Sequence, residues 1–399
     1  MSSLPPLAQP VQSPPAPIAP APVSPAPLGL PTPDRRGRTA PVWLFAVLIV
    51  LLIGLVAYLL TFLGVVASVV GMILALIPLA GVLWAVRIVD RWEPEPASLV
   101  VFAVAWGAIA AVAIALGVDV LLGIVLPGVA DDGMRDALSS VVQAPLVEEF
   151  AKGLGVFLVF VFARRSFDGP VDGVVYGALV AAGFAFTENI MYFATSLIEG
   201  GPAETAFTFL LRGILSPFAH VMFTAVTGYA IGRAARSGAG VGRAARIGLA
   251  GMVGAALLHA LWNGSALFAD FFHLYATLQV PLFLGFVAGI LALRREEARL
   301  THDRLTEYAA AGWFTAAEVD MLATPSGRRR AIAWARTLPG GRAPQMRAFI
   351  REATALAAAR QRTCTGRDAG SVSDERASLS GACAARAAVL AQTASHGIP

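Results

Sequence analysis

Runs of about twenty apolar residues recur along this chain, and a bilayer is the one solvent that accommodates so many at once. Segments of that length give about eight candidate transmembrane helices: 42–63, 65–87, 97–126, 140–163, 171–198, 206–232, 245–268 and 274–293. The third is long enough to tilt strongly or to break near Gly117. Hydrocarbon offers no partner for a free backbone N–H or C=O, so the fold class is an all-α polytopic membrane protein. With 57% hydrophobic and 14% charged residues and a mean hydropathy of +0.69, a soluble enzyme is excluded.

Composition divides the rest. Residues 1–40, dominated by Pro, Ala and Ser, predict a disordered tail, too proline-rich for a cleavable signal peptide, so the first span stays as an anchor. Residues 41–296 make the transmembrane domain. Residues 297–360 keep helical spacing (Leu305, Tyr308, Val319, Leu322) and predict a small helical region, and 361–399, rich in Ala, Ser, Arg and Gly, predicts a flexible tail. Arginines cluster at alternate loops: Arg87 and Arg91, Arg164 and Arg165, Arg233 to Arg246, and Arg294 to Arg299. By the positive-inside rule both termini are cytoplasmic. The net charge of +4 and pI near 9.4 then describe inner-leaflet contact, and no motif points to nucleic acid. Cys364 and Cys383 fall in the cytoplasmic tail as reduced thiols. The preference for arginine over lysine, with high alanine, suggests a bacterial cell membrane as the setting.

Against this apolar background the spans carry ionisable groups, which cost several kcal/mol in hydrocarbon and face a partner or a wet cavity. The fourth span holds Glu148, Glu149 and Lys152, the only lysine in the chain. At i+3 and i+4 the lysine reaches either carboxylate on one helix face. Two adjacent carboxyls beside one ammonium are set up to activate a water, although a self-neutralising pair that lets a polar helix insert has the same pattern. The fifth span holds Glu188 and Asn189, with no cation within a turn, and Gly173 and Gly177 at the spacing that lets helices approach closely. The sixth holds His220, with Thr224 one turn on. The seventh holds His259 and Asn263, whose imidazole and amide share a face. At 1.5 Å per residue, Glu148, Glu149, Glu188 and His259 fall at nearly one depth, just outside mid-bilayer, with His220 nearer the centre and Asn263 nearer the outer surface. One shared site is the economical reading.

The series Glu-Glu-x-x-Lys (148–152), Phe-x-x-x-Glu-Asn (184–189), Ser-Pro-x-x-His (216–220) and His-x-x-x-Asn (259–263) resembles the PrsW family of intramembrane proteases. The juxtamembrane Asp90–Pro96 stretch is similar to a segment frequent there, and the resemblance covers roughly 65–293. It implies a glutamate-dependent membrane endopeptidase, distantly related to the prenyl-protein (CAAX-type) proteases. It also implies a transmembrane protein as substrate, with an anti-sigma factor cut near its extracytoplasmic side as the best-known case. Position 188 is Glu where the CAAX-type relatives have His, which weighs against a metal.

The expected roles are Glu149 as general base tuned by Glu148 and Lys152, Glu188 as a second acid or water-positioning group, and His259 and Asn263 as oxyanion donors. His220 and Asn189 would complete the shell. Which of Glu148 and Glu149 faces the water stays open. No cofactor is expected. Two alternatives remain: a zinc-dependent protease built on His220, His259 and Glu149, and a proton-coupled transporter using Glu188 and the histidines as a relay.

Overall fold

The computed structural model describes residues 41–125, 132–268, 271–366 and 370–391, so the proline-rich tail predicted for 1–40 lies outside the described residues. Every regular element among them is helical. Six segments among the described residues are long and apolar enough to cross a bilayer. One of these, Pro170–Arg236, covers two of the predicted spans. The predicted fourth span is α6 (Ala144–Phe162), which follows the short α5 (Asp132–Leu138) and is set apart by the charges of Glu148, Glu149 and Lys152.

The first two helices, α1 (Val42–Phe62) and α2 (Gly64–Val89), turn large apolar side chains such as Ile49, Val50, Ile53, Val66 and Ile73 outward. In water such a surface would drive association; in lipid it is the solvated face. The packed interior lies between α3 (Ala97–Ala105), α4 (Val112–Val125), α6 and α7 (Pro170–Phe209), with Phe102, Phe160, Tyr176 and Phe193 almost fully buried. After α2, Asp90 accepts the Glu95 amide at 3.0 Å, and Glu95 accepts the Tyr176 hydroxyl at 2.5 Å. The juxtamembrane stretch thereby ties the start of α3 to α7. Burial pushes the Glu93 carboxyl in this stretch up to about 8, with the nearby acids Asp168 and Glu297 adding to the shift.

Two predicted spans yield at places the sequence reading did not choose. The third does not break at Gly117, around which nothing packs, but widens into a π turn over Trp106–Ala111, between α3 and α4. There the backbone lies directly on α7: a Cβ on Gly107 would sit 1.8 Å from the Val180 carbonyl, and one on Gly183 2.0 Å from that of Val104. The Thr187 hydroxyl donates to the Ala108 carbonyl at 2.8 Å within this turn.

The sixth span is not continuous over 206–232. α7 kinks at Gly201 (φ +69°), just before Pro202, and passes into a π turn at Leu210–Leu215. The chain then breaks across Ser216–Phe218 and restarts as α8 (Ala219–Arg236). Pro217 has no N–H to continue a helix, and Ser216 donates its hydroxyl to the Leu211 carbonyl at 2.7 Å. His220 therefore stands on the first turn of α8 rather than in the middle of a continuous helix.

α7 and α8 run antiparallel with their backbones touching. The Gly173 and Gly228 positions face each other so closely that a Cβ on either would lie 2.0 or 1.9 Å from the other's carbonyl oxygen. Gly228→Ala is expected to lower resistance to unfolding in detergent by about 1–3 kcal/mol, the usual cost of overpacking. A thermal-unfolding series unchanged from wild type would contradict this packing.

α9 (Val241–Phe268) is followed by the short α10 (Phe271–Leu274), a π turn at Tyr275–Gln279, and α11 (Val280–Ala310), which extends well beyond the predicted end at 293. Beyond it, α12 (Ala316–Ala323), α13 (Pro325–Thr337), α14 (Ala343–Thr365) and α15 (Ser371–Leu390) enclose a second core of Leu305, Phe314, Leu322, Phe349, Leu356 and Val389. The flexible tail predicted for 361–399 is thus helical over 371–390. Its alanine-rich composition buries little area per residue, but Ala382 at 0% exposure lets α15 approach α14 closely. This layer docks on the bundle through Arg362 to Asp168, Asp374 to Arg165 (3.8 Å), and Arg328 over the Trp92 ring (5.2 Å).

Candidate active site

Lys152 and Glu149 are both fully buried, on the face of α6 that meets α8 and α9. The three N–H groups of the ammonium have three acceptors: Glu149 Oε1 at 2.6 Å, His220 Nδ1 at 3.0 Å and Glu148 Oε2 at 3.2 Å. The ammonium also lies 4.1 Å from the centre of the Phe184 ring. Since Lys152 can only donate, His220 Nδ1 must accept, and the imidazole proton sits on Nε2. That proton goes to Glu188 Oε2 at 2.8 Å.

Glu149 is held on every side. Besides Lys152 it accepts from the Thr224 hydroxyl at 2.8 Å and from His259 Nδ1 at 3.2 Å. The contact places a proton of His259 on Nδ1, facing this carboxylate. Phe223 stacks on the His259 ring at 4.7 Å. Among the described residues Glu148, 9% exposed, has the 3.2 Å hydrogen bond from Lys152 and a 4.0 Å approach to His259.

Arg212, on the π turn before α8, completes the group. Its Nη2 donates to Glu188 Oε2 at 2.5 Å and its Nε to Asn189 Oδ1 at 2.9 Å, and the guanidinium lies over the Tyr192 ring at 3.8 Å. Its Nη1 makes no hydrogen bond among the described residues. Three carboxylates thus meet two fixed cations. Glu188 is matched by Arg212 and Glu149 most closely by Lys152, which leaves Glu148 sharing Lys152 at the longer distance of 3.2 Å.

Of the predicted residues, the structure brings Glu148, Glu149, Lys152, Glu188, His220 and His259 into one cluster, with Asn189 bracing Arg212. Asn263 is turned elsewhere: its amide donates to the Ser140 carbonyl at 2.9 Å and ties α9 to the π turn Ser139–Gln143 that precedes α6. The expected pair of oxyanion donors is not formed, because the Asn263 amide is engaged by the Ser140 carbonyl. Sequence reasoning missed two members. Arg212 lies inside a predicted span, and a cation there is itself a sign of a buried partner. Thr224, one turn beyond His220, receives no role from the sequence because it carries no charge.

Residues 95–290 match the family described as PrsW family intramembrane metalloprotease. That interval contains every residue of the cluster. Residues 95–290 are of the PrsW family. Relatives named Protease PrsW include those of Geobacillus kaustophilus (33% identical over 145 residues) and Clostridioides difficile (31% over 166 residues). These alignments take in 36% and 40% of this chain and 58% and 64% of the relatives' own lengths. The chain therefore covers less than two thirds of each. A third, from Oceanobacillus iheyensis, is 35% identical over 92 residues, 23% of this chain and 39% of that relative. No solved structure gives a significant match. The N-terminal segment and the α12–α15 layer lie outside the PrsW-family region.

The family description raises the question of a metal. One donor atom from each of Glu148, Glu149, His220 and His259 lies within 4.8 Å of the others, and two imidazoles with two carboxylates are a donor set that zinc accepts. The ammonium of Lys152, however, is already hydrogen-bonded to three of those four residues. A divalent ion would have to displace a buried cation that satisfies the same lone pairs. As folded, the PrsW-family cluster does not fit one.

Proposed function

We propose that this protein is an intramembrane endopeptidase that hydrolyses a peptide bond of a membrane-protein substrate by carboxylate chemistry, with Glu148 as the base. The observation that carries this is the unequal state of the paired glutamates: Glu149 is saturated by three donors at 0% exposure, whereas Glu148 keeps access and unused lone pairs. The roles expected from sequence for the two residues are thereby exchanged. Glu148 takes a proton from a water, the resulting hydroxide attacks the scissile carbonyl, and Arg212 Nη1 offers a charged donor to the oxyanion. When the C–N bond breaks, Glu148 returns the proton to the leaving amine. Glu149, Lys152, Thr224 and His220 hold Glu148 and Glu188 in place, and no metal takes part.

The arginine-rich loops support an orientation with both helical ends of the chain in the cytoplasm and the site in the outer half of a bacterial membrane. A single-pass anti-sigma factor cut near its outer surface suits that geometry. The test is terminal-enrichment proteomics of host membranes carrying wild type or Glu148→Gln at equal abundance. New N-termini beside transmembrane segments, seen with wild type alone, are expected and would name the substrate. Identical sets of N-termini from abundant, folded protein of both kinds would sink the proposal. The description of the matched family favours a second reading, a metal-dependent protease, which metal analysis of the purified protein separates from the first.

A further inference from the structure

The end of α2 marks the level of the lipid headgroups. Trp84 is 68% exposed there, and Arg87, almost one turn on, is exposed as well. An aromatic ring and a snorkelling cation on the outward face of a span sit at the membrane–water boundary. Arg91, in the turn that follows, lays its guanidinium over the Trp92 ring at 4.6 Å. Arg328, the fourth residue of α13, approaches the same ring at 5.2 Å. The start of α13 is thereby fixed beside the boundary end of α2.

The charge on α13 suits that position. Pro325–Thr337 carries four arginines and no acid. Arg328 is committed inward, 5% exposed, with its Nη2 donating to the Thr354 hydroxyl at 3.1 Å. Arg329, Arg330 and Arg336 are exposed, and among the described residues no hydrogen bond or ion pair reaches them or Arg87. Elsewhere in the layer Arg304, Arg351, Arg360 and Arg386 are each paired with a glutamate. Arg329 and Arg336, two turns apart, stand on the flank adjoining Arg328, and Arg330 lies further round the helix. Guanidiniums gathered this way repel one another unless anions lie among them, and a phosphodiester accepts two guanidinium N–H groups at once.

We infer that α13 is a docking surface for the anionic phospholipid headgroups of the surrounding bilayer, with Arg329, Arg330 and Arg336 as its cations and Arg87 and Arg91 completing the patch. The contact at Trp92 holds the helix at headgroup level, so lipid phosphates surround it at a concentration that no soluble acidic partner matches. Each arginine near an anionic surface strengthens association about fivefold. The α12–α15 layer is then held to the membrane by lipid as well as to the bundle by its ion pairs with Asp168 and Arg165. The inference is independent of what the carboxylate cluster does.

The full-length protein in nanodiscs supplies the test, read by backbone hydrogen exchange over Pro325–Thr337. Exchange is expected to slow by about fivefold or more when phosphatidylglycerol replaces part of the phosphatidylcholine, and added salt is expected to reverse the effect. Arg329→Gln/Arg330→Gln/Arg336→Gln is expected to abolish the difference. Arg243→Gln/Arg246→Gln, which removes as basic a pair at the start of α9, is expected to keep it. The first variant alters exposed side chains alone, and unchanged exchange over Ala343–Thr365 in phosphatidylcholine discs shows that its layer is folded. Equal exchange of α13 in the two bilayers, or slowing that survives the triple substitution, overturns the surface. Equal slowing by inorganic phosphate in phosphatidylcholine discs overturns it too, since the patch would then be a site for a free anion. Slowing by polyglutamate with none from phosphatidylglycerol would give the face to a soluble acidic partner instead.

Discussion

Glu148→Gln is expected to lower peptide-bond cleavage by about 10²–10⁴-fold, the usual contribution of a general base, while leaving the fold nearly as stable as wild type. The reason lies in what each partner keeps. Without the Glu148 charge, Lys152 still has Glu149 and His220 as acceptors, and a glutamine oxygen replaces the third at nearly the same place. Glu149→Gln behaves differently. It removes the anion facing Lys152, Thr224 and His259 together, so activity and stability are expected to fall in parallel. Rates on a reconstituted single-pass substrate, paired with thermal unfolding of the same samples, separate the two. Native-rate cleavage by Glu148→Gln beside a stable but inactive Glu149→Gln would return the base to Glu149.

Lys152→Met is expected to be the most damaging single change to stability. It strands Glu149, at 0% exposure, with no fixed cation, and breaking a buried ion pair from one side costs about 3–5 kcal/mol. The vacated centre would then be a four-donor cluster of Glu148, Glu149, His220 and His259. We expect zinc to raise the unfolding temperature of this variant and to leave that of wild type unmoved. Chelators should not slow the proposed cleavage by wild type. Near-stoichiometric zinc in purified wild type, with activity lost on chelation and restored by the ion, would show that the lysine does not hold the cation's place.

What could be read from the sequence was whatever local spacing determines. Twenty-residue apolar runs define spans by length alone, and Glu148, Glu149 and Lys152 share a face because i+3 and i+4 neighbours must. Their common depth with Glu188 and His259 follows from the rise per residue. Depth does not fix rotation about a helix axis, however. Hence Asn263, one turn from His259, faces Ser140 instead of the cluster, and the partner of Glu188 turned out to be Arg212, twenty-four positions away. Helix breaks were misplaced for a related reason. Gly117 looked like a weak point, but the turn at Trp106–Ala111 is set by backbone contact with α7, which only tertiary packing creates. Pro217 was a local signal for the break before α8 and could have been used. The helix at 371–390 was hidden by an alanine-rich face whose value depends on a neighbouring helix being near.

The single lysine has one more consequence, for the bench. Amine-directed chemistry, whether acylating dyes, cross-linkers or reductive methylation, finds no other lysine in the chain, and Lys152 is sealed beneath Phe184 with all three of its hydrogens engaged. Every other basic side chain on the strongly cationic ends is a guanidinium or an imidazole, to which such reagents are nearly blind. The intact protein should therefore stay unmarked at its side chains, and any label found on Lys152 would time the moments at which the buried carboxylate cluster comes apart.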